Sequence, residues 1–201
     1  MKIMQSKIPV CRAVKFDGGK RMYIEEYVIQ LDGTELRLRN AREEDAEMLI
    51  DYLKQTCGET RFLVKEPEEI TLTIEQEKNF IRNQNESEGN LMLLAFLNGK
   101  YIGNCSLMGN APSRYRHRAS VGIALFQAYT GMGIGRKMLE LLCEIAKEKG
   151  IEQLELEVVA DNDRAIALYK KIGFEKMGTF PHNMKYKDGT YADAYWMVKI
   201  L

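Results

Sequence analysis

Three alternate glycines, Gly131, Gly133 and Gly135, lie where the periodicity of the chain changes from that of a strand to that of a helix. Residues 120–125 are apolar and partly β-branched, as in a buried strand, whereas apolar residues recur at helical spacing from Ile134 onward. A glycine-rich turn at such a junction leaves backbone N–H groups unpaired, with the positive end of the helix dipole behind them. Backbone of this kind binds phosphate groups. The sequence therefore predicts an anion site at this turn.

Two common nucleotide-binding motifs do not fit the turn. The phosphate loop of nucleotide hydrolases ends in glycine, lysine and serine or threonine, but Gly135 is followed by Arg136 and then by Lys137 and Met138. A dinucleotide-binding fingerprint needs glycine at its first, third and sixth positions, and the sixth position counted from Gly131 is Arg136. The phosphate-bearing ligand must therefore be identified from the rest of the chain.

Hydrophobic periodicity and turn residues predict the other elements of the chain. The predicted strands are residues 8–16, 22–31, 35–39, 91–97, 101–108, 120–125, 153–159, 174–184 and 190–200. The predicted helices are residues 41–55, 71–84, 134–149 and 162–172, of which the second has the capping box Thr73-x-x-Gln76. Strand, helix and strand over residues 120–159 indicate a parallel crossover, and the elements together predict a mixed α/β fold. Residues 1–33 form a β-rich N-terminal extension, and residues 34–201 form the main domain.

Composition and charge exclude several classes of protein. Lys plus Arg and Asp plus Glu number 29 each, so no general positive field draws the chain to nucleic acid or to an anionic membrane. The sequence has no apolar run as long as a membrane span or a signal peptide, which favours a cytoplasmic location. Its four cysteines form no CxxC pair and have no histidine at ligand spacing, so we expect reduced, buried thiols and no metal site.

The glycine turn and the later segment V-V-A-D-N-D-R-A-I-A-L-Y-K-K-I-G-F together resemble the GNAT superfamily of acetyl-CoA-dependent N-acetyltransferases. Within that superfamily the chain is similar to the ribosomal-protein alanine acetyltransferases. This similarity rests on residues 123–125 and 129–135 and on Glu157, Val158, Asn162, Ala165, Leu168, Tyr169, Gly173 and Phe174. It covers about residues 34–200. It implies a central, mostly antiparallel twisted sheet with one splayed parallel strand pair and helices on both faces.

The resemblance implies acetyl-CoA as co-substrate, without a metal. The implied cofactor-binding residues are the strand residues Ile123, Ala124 and Leu125, the turn residues Thr130, Gly131, Met132, Gly133, Ile134, Gly135 and Arg136, and Asn162. The strand would bind the pantetheine arm with its backbone, and the turn would bind the pyrophosphate with its amides. The family has Gln or Arg where this chain has Thr130, a departure that removes one long polar side chain.

The resemblance also implies two catalytic residues. Tyr169 would be the general acid that protonates the departing thiolate, although a tyrosine on this apolar helix face is also typical of a core residue. Glu157 would be the general base that takes a proton from the amine, although a solvated strand carboxylate explains it equally well. His117 and a water molecule stay open as alternative bases, because an unperturbed imidazole titrates near pH ~6.5.

The activity implied is transfer of an acetyl group from acetyl-CoA to a primary amine by direct nucleophilic attack. The acceptor is a small molecule or a peptide, in a cleft for which Tyr186, Tyr191, His182 and Asp193 are polar candidates. A non-catalytic acyl-CoA-binding regulatory module of the same fold is the alternative, and a purely structural interaction domain leaves the glycine turn unexplained. A homodimer is one open oligomeric state, since exposed sheet edges favour self-association.

Overall fold

The computed structural model describes residues 14–17, 21–31 and 33–201, with side chains described from residue 21 onward. The strands are β1 (Val14–Asp17), β2 (Arg21–Ile24), β3 (Tyr27–Leu31), β4 (Thr34–Asn40), β5 (Asn90–Leu97), β6 (Lys100–Gly109), β7 (Arg118–Leu125), β8 (Gln153–Val159), β9 (Glu175–Lys185) and β10 (Tyr191–Ile200). The helices of more than one turn are α1 (Ala46–Glu59), α2 (Ile74–Glu86), α3 (Ile134–Glu148) and α4 (Asp163–Ile172).

The described strands form one large sheet and one small one. The large sheet has eight strands in the order β3-β4-β5-β6-β7-β8-β10-β9, and β1 and β2 form a separate pair. Every neighbouring pair in the large sheet is antiparallel except β7 and β8, which are parallel. This arrangement confirms the predicted mixed sheet with one parallel pair.

The parallel pair separates along its length. Its register contains only Arg118 with Gln153, Ala119 with Leu154, and Ser120 with Glu155. Both strands continue beyond these residues, β7 to Leu125 and β8 to Val159. The sheet therefore has an opening between β7 and β8, as predicted for a splayed pair.

Helices cover both faces of the large sheet because successive residues of the central strands point to opposite sides. On β5, Leu91, Leu93 and Ala95 belong to the core that includes α3, whereas Met92 and Leu94 belong to the core that includes α1 and α2. Helix α4 packs on the same side as α3. The β7–β8 opening thus connects the α1–α2 side of the sheet with the α3–α4 side.

The prediction of one strand over residues 22–31 was wrong, because β2 and β3 are separate and belong to different sheets. The break falls at Glu25 and Glu26, two consecutive charged residues. Before the break, the N–H group of Ile24 donates to Oδ1 of the buried Asn40 at 2.8 Å, and this bond draws β2 over the end of β4. Strand β3 pairs with β4 at the edge of the large sheet.

The N-terminal segment is tied into the core of the molecule. Met22 and Ile24 are buried in the core that includes α3. The amide of Asn40 donates in turn to Asn85 on α2 at 3.0 Å, so the segment is linked to a helix as well as to the sheet. Residues 8–13 of the strand predicted over residues 8–16 lie outside the described residues.

Helix α1 differs from its predicted range of 41–55. A one-turn 3-10 helix over Glu43–Asp45 precedes it, and it continues to Glu59. The extra turn is stabilised by Cys57, which packs with Ile50 and Ile70, and the Thr56 hydroxyl within it donates to the Tyr52 carbonyl at 2.8 Å. The predicted capping box of α2 is confirmed, with Thr73 and Gln76 each accepting the other's backbone N–H. Among the described residues, no helix has the length and apolar character to span a membrane.

Candidate active site

The glycine turn is held in a conformation that glycine favours and that leaves its backbone open. Gly131 and Gly133 have φ angles of +81° and +78°, in the left-handed region. A Cβ atom built on either residue has no other atom within 4 Å among the described residues. Gly133 is the N-cap of α3, so the first N–H groups of that helix face the same open space.

Gly135 has a different role, which is to allow close packing. It lies in the first turn of α3, and a Cβ atom there would be 3.3 Å from Leu168 Cδ2 and 3.6 Å from Ile123 Cδ1. These atoms belong to α4 and to β7. A Cβ atom at this position would require the Leu168 side chain to shift slightly, so glycine permits the close packing of α3 on α4 and β7.

Thr130 begins the turn and is hydrogen-bonded on both sides. Its hydroxyl donates to the Gln127 carbonyl at 2.7 Å and accepts from the guanidinium of Arg164. The N–H of Gln127 donates to the carboxylate of Glu59 at 2.7 Å, which attaches the approach to the turn to the end of α1. Sequence reasoning missed Arg164, and the available signal was a basic residue in the first turn of α4, where the helix dipole disfavours positive charge.

The two basic residues that follow the turn are paired with one carboxylate. Arg136 Nε lies 2.8 Å from Glu140 Oε1, and Lys137 Nζ lies 3.2 Å from Glu140 Oε2. Both pairs are within α3 at the spacing where side chains on one helix face meet. The pairing reduces the charge that Arg136 presents at the turn.

The backbone of β7 presents alternate residues to the opening. The Phe126 N–H donates to the Ile102 carbonyl of β6 at 3.0 Å, and the Ala124 carbonyl also faces β6, where it would touch a Cβ atom built on Gly103. The N–H and C=O groups of one residue point to the same edge of a strand and alternate along it. Ile123 and Leu125 therefore direct their backbone groups to the β8 edge, past the last paired residue Ser120. Of the three strand residues predicted to bind a cofactor, these two face the opening.

The Ala124 carbonyl accepts a hydrogen bond from the Tyr52 hydroxyl of α1 at 2.8 Å. Tyr52 is only 3% exposed, and its ring packs edge-on against Tyr101 at 5.1 Å and Phe126 at 5.0 Å between centroids. Burial raises the pKa of the Tyr52 hydroxyl well above its ordinary value, so this group remains a proton donor. Tyr52 thus joins α1 to the end of β7, a contact across 72 residues that the sequence pattern did not reveal.

Replacing Tyr52 with phenylalanine is expected to lower the free energy of unfolding by about 1–3 kcal/mol, because the Ala124 carbonyl loses its partner in a buried site. Urea denaturation monitored by circular dichroism measures this change. The matched control is Tyr115→Phe, since Tyr115 is half exposed. Equal stability losses for the two variants would contradict the structural role of the Tyr52 hydroxyl.

Asn162 occupies the N-cap position of α4. Its Oδ1 accepts from the Ala165 N–H at 3.2 Å. Capping uses the oxygen of the side-chain amide, and its NH2 group still has two donors to offer. The residue lies three positions beyond Val159, the end of the splayed strand β8.

Tyr169 lies on α4, 8% exposed, in the core between α3, α4 and the sheet. Its ring packs against Phe174 with centroids 5.9 Å apart. Burial raises the pKa of Tyr169 to about 12, so the hydroxyl is protonated throughout the neutral range. We find no hydrogen-bond partner for this hydroxyl among the described residues, which leaves its proton available to a ligand.

Glu157 lies on β8, beyond the last residue of that strand that pairs with β7. Its neighbours Leu156 and Val158 face the core that contains Tyr169, so Glu157 points to the opposite, α1–α2 side of the sheet. The side chain is exposed and accepts a long hydrogen bond of 3.5 Å from Asn183. Glu155 forms an ion pair with Arg118 at 2.5 Å, so Glu157 has the weaker side-chain contact of these two strand carboxylates.

Glu157 and Tyr169 thus lie on opposite sides of the sheet beside the same opening, whereas His117 is remote from it. His117 precedes β7, and its carbonyl accepts from the N–H groups of Glu152 and Gln153, where the parallel strands are still paired. A strand of this length spans about 23 Å from Arg118 to Leu125 at a rise of ~3.3 Å per residue. The structure therefore places His117 at the paired end of β7, opposite to Leu125 and the glycine turn.

The polar candidates for the acceptor cleft cluster at the tip of the β9–β10 hairpin. The ring of His182 stacks on Tyr191 with centroids 4.5 Å apart, and the His182 N–H donates to Asp193 at 2.9 Å. Tyr186 lies under the guanidinium of Arg61, 5.4 Å from its ring centroid, and Arg61 also pairs with Asp161. The segment after α1 therefore contacts both the hairpin and the loop that precedes α4.

Comparison with known proteins agrees with the fold and with the motifs. The model of the acetyltransferase (GNAT) domain matches residues 38–196. A solved acetyltransferase of the GNAT family from Streptococcus pneumoniae superposes with a TM-score of 0.78 and 33% identity, over 83% of this chain and 99% of that one. The ribosomal-protein-alanine N-acetyltransferase of Brucella melitensis has a TM-score of 0.72 and 28% identity, over 82% of this chain and 99% of that one.

Curated relatives match over different shares of their length. The L-amino acid N-acetyltransferase AaaT of Escherichia coli is 31% identical over 111 residues, which are 54% of this chain and 67% of that protein. An uncharacterized protein of Mycobacterium leprae is 44% identical over 97 residues, and this match spans only 24% of its length. The domain match covers well over half of the chain, and the chain therefore belongs to the GNAT family of acetyltransferases.

Proposed function

We propose that this protein transfers an acetyl group from acetyl-CoA to a primary amine by direct attack, without a covalent enzyme intermediate. The observation that carries the proposal is the opening between β7 and β8 next to the exposed amides of the glycine turn. An amide-rich arm that ends in a thioester fits the opening between the strands, and a pyrophosphate fits the amides of the turn. One ligand that contains both parts is acetyl-CoA.

The coenzyme is assigned to the α3–α4 side of the sheet. The amides of residues 130–136 bind its pyrophosphate, with the N-terminus of α3 behind them. Backbone groups of Ile123 and Leu125 bind the pantetheine arm, while Ala124 anchors the strand through Tyr52. The Asn162 side chain donates to the same arm. A free N–H at the end of β7 stabilises the thioester oxygen as it gains negative charge.

Tyr169 and Glu157 are assigned the two proton transfers. Glu157, on the α1–α2 side, accepts a proton from the amine, because an ammonium ion has no lone pair with which to attack. The neutral amine then forms the new C–N bond at the thioester carbon, and its nitrogen loses a second proton to solvent as the amide forms. As the C–S bond breaks, the Tyr169 hydroxyl donates its proton to the departing thiolate. The tyrosinate regains a proton from solvent when coenzyme A leaves.

Free thiol released from acetyl-CoA tests the proposal when the purified protein is incubated with a panel of amines. The panel should include free amino acids, peptides with different N-terminal residues, polyamines and lysine derivatives. Amine-dependent thiol release is the expected result. Coenzyme binding without turnover across the whole panel would instead support a non-catalytic acyl-CoA-binding module, and absence of coenzyme binding at millimolar concentration would refute both.

The acceptor is a small molecule or a peptide that carries a primary amine. Two similar proteins are named for such acceptors, one for L-amino acids and one for the alanine of a ribosomal protein. The cleft for the acceptor lies on the α1–α2 side, with the β9–β10 hairpin as one wall. Tyr186, Tyr191, His182 and Asp193 belong to this wall.

The domain boundaries, the compartment and the oligomeric state belong to the same proposal. The acetyltransferase domain comprises residues 34–201, and residues 1–33 form a β-rich extension that adds β3 to the edge of its sheet. The cytoplasm is the compartment of activity, in keeping with the free thiols of Cys57, Cys105 and Cys143. Size-exclusion chromatography with light scattering would distinguish a monomer from a homodimer.

Replacing Gly131 with alanine is expected to weaken coenzyme A binding about ten- to hundredfold, because the methyl group occupies the space through which the phosphate approaches the amides. Gly99→Ala is a matched control, since Gly99 has the same φ of +81° and an equally open Cβ position. Both variants should lose about 1–2 kcal/mol of stability from backbone strain. Isothermal titration calorimetry measures affinity, and equal affinities for the two variants would contradict the site.

A further inference from the structure

Arg164 lies where a basic residue does not help its own helix. It is the second residue of α4, one position after Asp163, at the end where the helix dipole carries partial positive charge. A cation there opposes the dipole and gains nothing from it. Its side chain is exposed, so packing does not explain its position either.

The side chain of Arg164 is directed at the glycine turn. Its guanidinium donates to the Thr130 hydroxyl, which itself donates to the Gln127 carbonyl at 2.7 Å. This chain of hydrogen bonds holds the guanidinium at Thr130, the residue that begins the glycine turn. A guanidinium has five N–H donors, and the bond to Thr130 leaves the others for a ligand.

Arg164 also differs from the other basic residues of the turn in its charge balance. Arg136 and Lys137 share the carboxylate of Glu140. Within residues 21–31 and 33–201, by contrast, Arg164 has no ion pair with a carboxylate. Of the three basic residues Arg136, Lys137 and Arg164, Arg164 is therefore the one whose charge is not shared with a carboxylate in that part of the chain.

We propose that Arg164 binds the diphosphate of the coenzyme and so replaces the long side chain that Thr130 lacks. This inference rests on the proposed function. Arginine suits the role because its planar, permanently charged fork matches two phosphate oxygens at once. The Thr130 hydroxyl is already engaged by Gln127 and Arg164, and it serves to orient the arginine.

Isothermal titration with three ligands tests the proposal. Coenzyme A, dephospho-coenzyme A and pantetheine are titrated into the wild type, Arg164→Gln and the control Lys171→Gln, which removes one exposed charge from the other end of α4. Arg164→Gln should bind coenzyme A and dephospho-coenzyme A about ten- to hundredfold more weakly than the wild type. Its affinity for pantetheine, which has no phosphate, should be unchanged. Lys171→Gln should bind all three ligands like the wild type.

The outcomes separate this inference from the proposed function. A wild-type protein that does not bind coenzyme A would refute the function itself. If the wild type binds and Arg164→Gln binds equally well, the function stands and the role of Arg164 is refuted. A loss confined to coenzyme A, with dephospho-coenzyme A unaffected, would assign Arg164 to the 3′-phosphate and overturn the diphosphate assignment.

A double variant tests whether an arginine at position 130 can bind the diphosphate in place of Arg164. Adding Thr130→Arg to Arg164→Gln places a long cationic side chain at the start of the turn. The double variant is expected to regain most of the lost affinity for dephospho-coenzyme A. A double variant that binds no more tightly than Arg164→Gln, with an unchanged melting temperature, would contradict the replacement of one side chain by the other.

Discussion

Replacing Tyr169 with phenylalanine is expected to lower kcat about ten- to thousandfold while leaving the affinity for acetyl-CoA nearly unchanged. The substitution removes only the hydroxyl, and the ring contact with Phe174 remains. The lost step is proton delivery to the departing thiolate, which occurs in the transition state and not in the bound ground state. Steady-state kinetics with thiol detection, combined with calorimetric titration of coenzyme A, measures both quantities.

The pH dependence of the wild type follows from the burial of Tyr169. Because burial raises the pKa of its hydroxyl to about 12, the residue is a protonated donor well above pH 8. Activity should therefore not fall through ionisation of Tyr169 between about pH 7 and pH 10.

The control for the Tyr169→Phe substitution is Tyr115→Phe, which removes a hydroxyl from an exposed site. A kcat for Tyr169→Phe equal to that of the wild type would leave Tyr169 with a packing role only.

Replacing Glu157 with glutamine is expected to lower kcat/KM about hundredfold at neutral pH with an ordinary aliphatic amine, because the variant cannot accept the proton of the ammonium. The change keeps the size of the side chain and its ability to accept from Asn183. Folding should therefore be unaffected, and thermal unfolding can verify this. Steady-state kinetics with the best acceptor from the amine panel gives the value.

An acceptor whose amine is already neutral at the assay pH sharpens this experiment. With such an acceptor no base is needed, so the difference between Glu157→Gln and the wild type should shrink to less than about tenfold. Glu152→Gln is the control, because Glu152 is exposed and lies beside the paired end of β7 and β8. An equal loss with protonated and neutral amines would show that Glu157 acts by some means other than proton transfer.

Local sequence patterns predicted most elements of the main domain because each contains its own signal. The change of period after Leu125 marked the turn, and Gly133 does cap α3. Thr73 and Gln76 form the capping box that their spacing predicted. Asn98 and Gly99 turn the β5–β6 hairpin with positive φ angles of 48° and 81°. In each case the deciding interaction lies within a few residues along the chain.

The incorrect boundaries depend on contacts between distant parts of the chain. The strand predicted over residues 22–31 is divided because Ile24 bonds to Asn40, which lies 16 residues away. Helix α1 extends to Glu59 because Cys57 finds a packing partner in Ile70. Neither contact changes the local periodicity of the sequence. The prediction from periodicity therefore made the strand over residues 22–31 too long and ended helix α1 too early.

The same distinction applies to the candidate site. The glycines, Asn162, Tyr169 and Glu157 were predicted from their positions in or beside the two motifs. Arg164 and Tyr52 were not, since their partners Thr130 and Ala124 are 34 and 72 residues away. Conversely, His117 fitted the base role by chemistry alone, and only the strand register placed it at the far end of β7.

The sequence by itself predicted an anion site at the glycine turn, because glycines, a helix start and an apolar strand act through adjacent atoms, and its two motifs indicated the GNAT family. Tertiary structure decided how the strands part after Ser120, which backbone edges face the opening, and which cation lies at the turn. These features depend on pairing and packing between segments far apart in the chain. Their energies are sums over contacts that no local pattern records.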